Sequence, residues 1–287
     1  MRHLQYTAKS HHLQWNMKPL SKICHQLYRD YCPDSLKHRR NVSLSKVSDE
    51  SLLVLLLLQA ELGIKSQRHF HRICQLFPCG RLLERSRFNR RSRQLIWLLQ
   101  LIRQAMNDQA PSNNIVIMDS FPLPLCQSVR NHRASIFEGV ADIGYNASKH
   151  QWFYGFKVHM LVTLSGYILN YIVTSASVHD IKAVEDLLEG CQQSVILADL
   201  GYLSQALKDR LKQRGYHLWT PLRQNMGSAS QHNNGRLLAM RRTIETCFSE
   251  LCALFDMEHT FARGVAGLQL RIEQILLTYN LSYFELN

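Results

Sequence analysis

The chain has 287 residues, 46% of them apolar and 20% charged, a balance that can build a core and excludes wholesale disorder. Its formal net charge of +12 points toward a polyanionic partner and away from acidic small molecules. That charge is unevenly placed: residues 1–113 hold 19 of the 34 Lys and Arg but only 7 of the 22 Asp and Glu, and residues 114–287 are neutral. Two parts with different jobs are expected.

The opening MRHLQYTAKSHH has no apolar h-region, so no signal peptide is expected. The longest apolar run, Leu52–Leu58, falls far short of the roughly 20 residues that cross a bilayer. Eight cysteines without a CxxC pair read as reduced thiols in a cytosolic protein. His69, His71, Cys74 and Cys79 are close in sequence but lack the two spaced pairs of a structural zinc site; buried or idle thiols are the simpler reading.

Helical periodicity runs from residue 19 to about 106. Leu20, Ile23, Leu27 and Tyr31 make one stripe, ended by Pro33. Ser48 is placed to cap a helix through Ser51–Leu62, which Gly63 stops. A third helix is expected over Ser66–Leu76, ended by Pro78, and a fourth over Arg81–Met106, buried through Leu95, Leu98, Leu99 and Ile102. The first half of that fourth helix presents Arg81, Arg85, Arg87, Arg90, Arg91 and Arg93 around Phe88 against one acid, Glu84. So unbalanced a run favours contact with a phosphate backbone over a merely solvated face. Residues 48–93 have room for a helix-turn-helix, though no signature marks one.

After Asn113 the pattern changes. A short strand Ile115–Met118 ends at Asp119, and Trp152–Thr163 alternates as a strand. Ser165–Gly166 turns into a second strand, Tyr167–Thr174. There follow a helix at Asp180–Leu188, a strand Ser194–Ala198 ending at Asp199, a helix Ser204–Arg214 and a strand Tyr216–Thr220. The polar stretch RQNMGSASQHNNG reads as a mobile loop, and helices at Leu237–Phe255 and Leu268–Tyr283 close the chain. The order implies an α/β fold, a mixed sheet flanked by helices, preceded by an all-helical region. The boundary is expected near residue 113, giving 1–113 as a basic helical DNA-binding region and 114–287 as the catalytic domain.

Asp119 and Asp199 each follow four apolar strand residues, so each is expected at a sheet edge, where an ionised carboxylate escapes desolvation. If their strands are parallel neighbours, both emerge at the edge where α/β folds place sites. Glu245 lies on a helix in RRTIETCF, with Ile244 and Phe248 on the buried side, and such a helix can aim it at the two aspartates. Three converging carboxylates repel one another and invite hard divalent cations such as Mg²⁺, a pair of which serves phosphodiester chemistry.

The segments MDSFPLPLC, GYNASKHQWFYGFKVHM, SASVHD, ADLGY and RRTIETCFSEL, in this order, resemble DDE transposases of bacterial insertion sequences, most of all the insertion sequence 982 family. The similarity covers most of residues 48–280 and is strongest over 114–255. It implies an RNase H-like core whose acidic triad falls on Asp119, Asp199 and Glu245, binding Mg²⁺ with Mn²⁺ as a substitute. Leu200 stands where relatives often carry a small or basic residue, which bears on a phosphate contact there and not on metal binding.

Around the triad, Lys157 and His159 share a face of the strand expected beside Asp119, where either can touch a phosphate or orient a metal ligand. For His159 a structural role weighs equally, and Asp180 reads as a helix N-cap. Arg241 and Arg242 lie one turn before Glu245, so one of them can hold DNA phosphate. Arg130 and Arg133 are candidates for flanking DNA, and Trp152 for the core. The implied activity is cleavage of element ends and joining of their 3′-hydroxyls to target DNA. The implied partners are double-stranded DNA, as terminal inverted repeats and target, and a second copy in a synaptic dimer. The expected place is the bacterial cytoplasm, at the nucleoid. Alternatives are a silent DNA-binding repressor, a metal-dependent nuclease without strand transfer, and an RNA-binding protein, for which only Phe88 and Trp97 offer aromatics.

Overall fold

The computed structural model describes residues 17–40, 42, 44–76, 81–110, 113–147 and 149–284. The chain divides into two compact units: Met1–Asp108 together with Leu251–Asn287, and Gln109–Glu250. Among the described residues no helix is long and apolar enough to cross a membrane.

The first unit is helical. Helix α1 (Met17–Tyr31) buries Leu20, Ile23 and Leu27 as the stripe requires. In α2 (Asp49–Glu61) the Ser48 hydroxyl accepts from the Ser51 N–H at 3.1 Å, and Gly63 takes φ +62 just beyond the end, a left-handed turn that favours glycine. Every residue of α2 from Leu52 to Glu61 is buried, the mark of a helix at the centre of a bundle. Each fully buried leucine there contributes about 1.5–3 kcal/mol. Helix α3 (Gln67–Leu76) follows; there His71 bonds the Leu83 carbonyl at 2.8 Å and Cys74 is buried, while Cys79 and Pro78 lie outside the described residues.

The helix expected over Arg81–Met106 is two helices, α4 (Arg85–Gln94) and α5 (Ile96–Ala105), which part at Leu95. Phe88 and Ser92 face the core in α4, and Leu98, Leu99 and Ile102 in α5. The Ser92 hydroxyl bonds back to the Phe88 carbonyl at 2.8 Å, a contact that bends helices, just before the break. The last helix, α8 (Val265–Leu281), is grouped by sequence with the sheet. It instead joins this bundle, with Leu270, Leu277 and Leu281 in one cluster with the α1, α2 and α5 side chains. A helix buried on every side needs a bundle interior, and its Glu273 meets Arg103 of α5 at 3.0 Å with both side chains sealed from water.

The second unit is a sheet of order β2-β3-β1-β5-β6, with β4 paired to β3. The strands are β1 (Ile115–Pro124), β2 (Asp142–Asn146), β3 (Gln151–Thr163), β4 (Ile168–Ser175), β5 (Val195–Leu197) and β6 (His217–Trp219). β1 runs antiparallel to β3 and parallel to β5, and β5 parallel to β6, so the sheet is mixed as expected. β1 is longer than its apolar run suggests. It continues through Pro122 and Pro124, because beyond Ile117 only β3 pairs with it. Odd-numbered N–H groups point to β3, as that of Leu125 does to the Tyr154 carbonyl, so prolines at even positions forfeit no ladder bond. Gly155 of β3 takes φ +157 opposite Pro124, and a Cβ there would lie 2.2 Å from the Leu123 carbonyl oxygen.

Alternation gives the sheet two faces. Val116 and Met118 of β1 pack with Leu161, Ile196, Val184, Leu187 and the helix α6 (Gln205–Gln213) on one face. Asp119 and Phe121 turn to the other face, where Phe121 meets Phe248 of α7 (Gly235–Phe255) with ring centroids 4.8 Å apart.

Candidate active site

Asp119 lies within β1, not at a strand end; its side chain is 20% exposed because β5 stops short of it and leaves that flank open. Asp199 follows β5 and precedes a short 3-10 turn, Leu200–Tyr202. The parallel pairing of Ile117 with Leu197 carries both aspartates out at one level. On α7, Ile244 and Cys247 are buried and hold the helix on the sheet unit, which leaves Glu245 exposed and Arg241 on the turn before it.

The acids meet at a guanidinium. Arg241 Nη1 is 3.6 Å from Asp119 Oδ2 and 3.8 Å from Asp199 Oδ1, and Nη2 donates to Glu245 Oε1 at 2.7 Å. Burial pushes the Asp119 carboxyl up to about 7; the Ser120 N–H pulls it down, and the Asp199 charge adds to the rise. Three carboxylates against one guanidinium leave two negative charges when all are ionised. A donor set of carboxylate oxygens alone, with that surplus, fits a hard divalent cation. Among the described residues no three His, Cys, Asp or Glu side chains already form a metal cage; Arg241 stands between them.

Beside Asp199 and Arg241 an open cavity of about 620 Å³ is lined by Leu200, Pro221, Leu222, Arg223 and Asn233, among others. The stretch read as a mobile loop is pinned here. Asn233 bonds both the N–H and the carbonyl of Leu222, His232 bonds the Thr220 carbonyl, and the His232 ring stacks on Trp219 at 5.7 Å. Residues Ala229–His232 form a helical turn.

Of the two arginines before Glu245, Arg241 faces the acids and Arg242 is exposed. Lys157 and His159 are not beside the acids. In the β1–β3 register they pair with Pro122 and Ser120, and so turn to the face opposite Asp119. His159 is fully buried, bonds Thr174 Oγ1 at 2.9 Å, and is pushed down to about 4 by burial, which keeps it neutral. Lys157 Nζ bonds Asp180 Oδ1 at 2.8 Å. The N-cap expected of Asp180 belongs instead to His179, whose Nδ1 accepts from the Ile181 N–H at 3.3 Å.

Arg130 and Arg133 sit on a 3-10 turn, Ser128–Arg133, tied to β3 by Asn131 donating to the Trp152 carbonyl. They line an open groove of about 660 Å³. Leu125, which also lines the groove, is six residues beyond Asp119 and bonds the Tyr154 carbonyl, so the groove begins roughly 20 Å along the strand from the acids. Trp152 itself is 60% exposed and packs against Tyr145 of β2, a strand the sequence does not announce, so it is not a core residue.

In the helical unit Arg81, Arg85, Arg87, Arg90 and Arg93 are exposed, and Glu84 is spent as the N-cap of α4. Arg91 departs from the others. It bonds Asp49 at 2.5 Å, the Val47 carbonyl at 2.7 Å and the Ser45 hydroxyl, while Arg39 bonds the same buried Asp49. Asp49 has almost no access to water, so its charge requires both partners, which takes Arg91 out of the basic surface.

Residues 109–265, more than half of the chain, match the family model described as the transposase DDE domain. The chain belongs to this family, whose members are enzymes that act on DNA. The fold is similar to that of the piggyBac transposase in a synaptic complex with hairpin DNA. Identity to it is 12%, with 91% of this chain and 73% of that one covered and a TM-score of 0.52. That likeness, with the mixed sheet and its flanking helices, makes the architecture RNase H-like. The Mos1 transposase paired-end complex with the left transposon end matches at 9% identity over 72% of this chain and 79% of that one, with a TM-score of 0.23 that bears on nothing further. No curated protein sequence matches the chain.

Proposed function

We propose that this chain is a metal-dependent DNA transposase of the insertion sequence 982 type, from a bacterial element, in which Asp119, Asp199 and Glu245 are the catalytic acids. The observation that carries the reading is the convergence of all three on the Arg241 guanidinium from β1, β5 and α7. Held by these carboxylates, Mg²⁺ (or Mn²⁺) supplies Lewis acidity to the phosphodiester and to the attacking oxygen, as in two-metal phosphoryl transfer.

The residues themselves bind, aim and balance charge. Asp119 is the most enclosed of the three, and the Ser120 N–H, 2.8 Å from its Oδ1, fixes how its oxygens point. Asp199 and Glu245, 44% and 53% exposed, open toward DNA. Were the acids to hold a cation, Arg241 would no longer be needed to offset their charge, and its planar fork would match a phosphate of the cleaved strand. Arg242 meets the backbone from the exposed side of α7. At the element end, water displaces the 3′ oxygen from phosphorus and frees a 3′-hydroxyl. That hydroxyl then attacks a target phosphorus and displaces the target's own 3′ oxygen, with no covalent protein intermediate.

Arg81, Arg85, Arg87, Arg90 and Arg93 supply the phosphate contacts of the helical unit, and Arg130 and Arg133 those of flanking DNA. Cutting both terminal repeats together calls for at least two copies. The likeness of the fold to a piggyBac transposase in complex with hairpin DNA supports a DNA partner. The test is cleavage and strand joining of labelled element-end DNA with Mg²⁺. Wild type is expected to do both and Asp119→Ala neither. If Asp119→Ala cuts as well as wild type, the assignment of the acids fails. Cutting without joining would mark a nuclease, and binding that is indifferent to metal a repressor.

A further inference from the structure

Behind the acids, on the other face of the sheet, lies a polar cluster that the reaction above does not use. At its centre is Asp180, on the 3-10 turn Asp180–Ala183 after β4. One of its oxygens, Oδ1, accepts from Lys157 Nζ at 2.8 Å and from the Ser120 hydroxyl at 3.3 Å, and lies 3.9 Å from His159 Nδ1. That nitrogen of His159 is fully buried and has no hydrogen-bond partner, so the ring adds no competing bond to the carboxylate. The buried Tyr202 hydroxyl lies beside Ser120 and Asp180. The second oxygen, Oδ2, faces Gly201, where a Cβ would stand 3.6 Å away. Asp180 therefore touches the residue after Asp119 and sits against the turn that follows Asp199.

Ser120 links the two faces. Its hydroxyl donates to Asp180 on one face, and its backbone N–H donates to Asp119 Oδ1 on the other at 2.8 Å. The direction of that N–H depends on how the Ser120 peptide is held. Lys157 anchors Asp180, Asp180 anchors the Ser120 side chain, and the peptide is locked between them.

We propose that Asp180 is a positioning residue, which acts through Ser120 to orient the Asp119 carboxylate for metal binding. Its charge is matched by Lys157 rather than by the cation, so it is not itself a ligand. Outer partners of this kind change metal affinity or activity by about 10–100-fold when removed, without touching substrate. The inference rests on the assignment of Asp119 as a metal-binding acid.

The test uses full-length protein and Mn²⁺, followed by electron paramagnetic resonance and calorimetry, beside cleavage kinetics on element-end DNA. Asp180→Ala and Ser120→Ala are each expected to weaken Mn²⁺ binding and lower kcat by about tenfold or more, with KM for DNA unchanged. The double variant is expected to be no worse than either single one, since both break one chain of hydrogen bonds. Asp180→Asn keeps an acceptor for Ser120 and is expected to restore most of the affinity; it also serves should the alanine variant fail to fold. Unchanged Mn²⁺ affinity in Ser120→Ala or Asp180→Ala, a loss in Asp180→Asn as large as that in Ser120→Ala, or losses that multiply in the double variant, overturn the proposal. Those results leave wild-type binding intact, whereas wild type that binds no Mn²⁺ and cuts no DNA overturns the functional reading as well.

Discussion

Arg241→Ala separates the two jobs assigned to this guanidinium. In the protein alone it offsets one of the acids' charges and so competes with a cation for them. Its pairs with Asp199 and Glu245 are half in water and contribute about 0.5 kcal/mol each after screening. The pair with the more enclosed Asp119, at 3.6 Å, contributes about 1–2 kcal/mol. Together they amount to about 2–3 kcal/mol against a metal ion that needs the same oxygens, at about 1.4 kcal/mol per tenfold. Without DNA, Arg241→Ala is therefore expected to bind Mn²⁺ about tenfold to a hundredfold more tightly than wild type. The assay is a calorimetric titration at pH 8, where Asp119, pushed up to about 7 by burial, is mostly ionised. Cleavage is expected to move the other way, since the same variant has no guanidinium to offer the DNA phosphate. Mn²⁺ binding that is no tighter than in wild type refutes the competition and with it the idea that the acids and Arg241 form one electrostatically coupled site.

Replacing Arg85, Arg87, Arg90 and Arg93 with alanine is expected to flatten the salt dependence of DNA affinity by about 0.9 in log–log slope for each phosphate no longer neutralised, as read by anisotropy at several salt concentrations. Arg91→Ala is expected to leave that slope alone and to destabilise the fold by about 3 kcal/mol, because Asp49 stays buried with half its partners; chemical denaturation distinguishes the two. Arg103→Met is expected to cost about 3–5 kcal/mol by removing the buried cation that faces the Glu273 carboxylate, and Arg103→Met with Glu273→Leu to recover part of it. Glu61 is pushed up to about 7 by burial, so between pH 4.5 and 7 the unfolded chain releases its proton first and stability falls as pH rises. Glu61→Gln is accordingly expected to match wild type near pH 4 and to be more stable by about 3 kcal/mol above pH 7. A gain that is equal at both pH values refutes the role given to burial.

Legibility followed the range of the interactions. Helices α1, α2 and α7 could be read from their stripes and from the Ser48 cap and Gly63 stop, because those signals act over one or two turns. The break at Leu95 could not, since Phe88, Ser92, Leu95, Leu99 and Ile102 continue one buried stripe straight through it. β2 has no apolar alternation and exists because β3 offers it an edge. Prolines in β1 argue against a strand until it is seen that one side of it has no neighbour.

The same division runs through the candidate site. Local pattern was enough to single out Asp119, Asp199 and Glu245, because acids after apolar strands and on a helix with one buried stripe stand out within ten residues. Local pattern also marked the arginines of α4, but not that Arg91 is drawn inward by Asp49, 42 residues away. Nothing nearby in the chain distinguishes Arg241 from Arg242, or says that Lys157 and His159 turn away from Asp119 toward Asp180. Those outcomes depend on helix phase and strand register, which are set when distant segments bury their apolar faces together. Side-chain chemistry is written residue by residue; which charges become neighbours is a property of the packed sheet and helices alone.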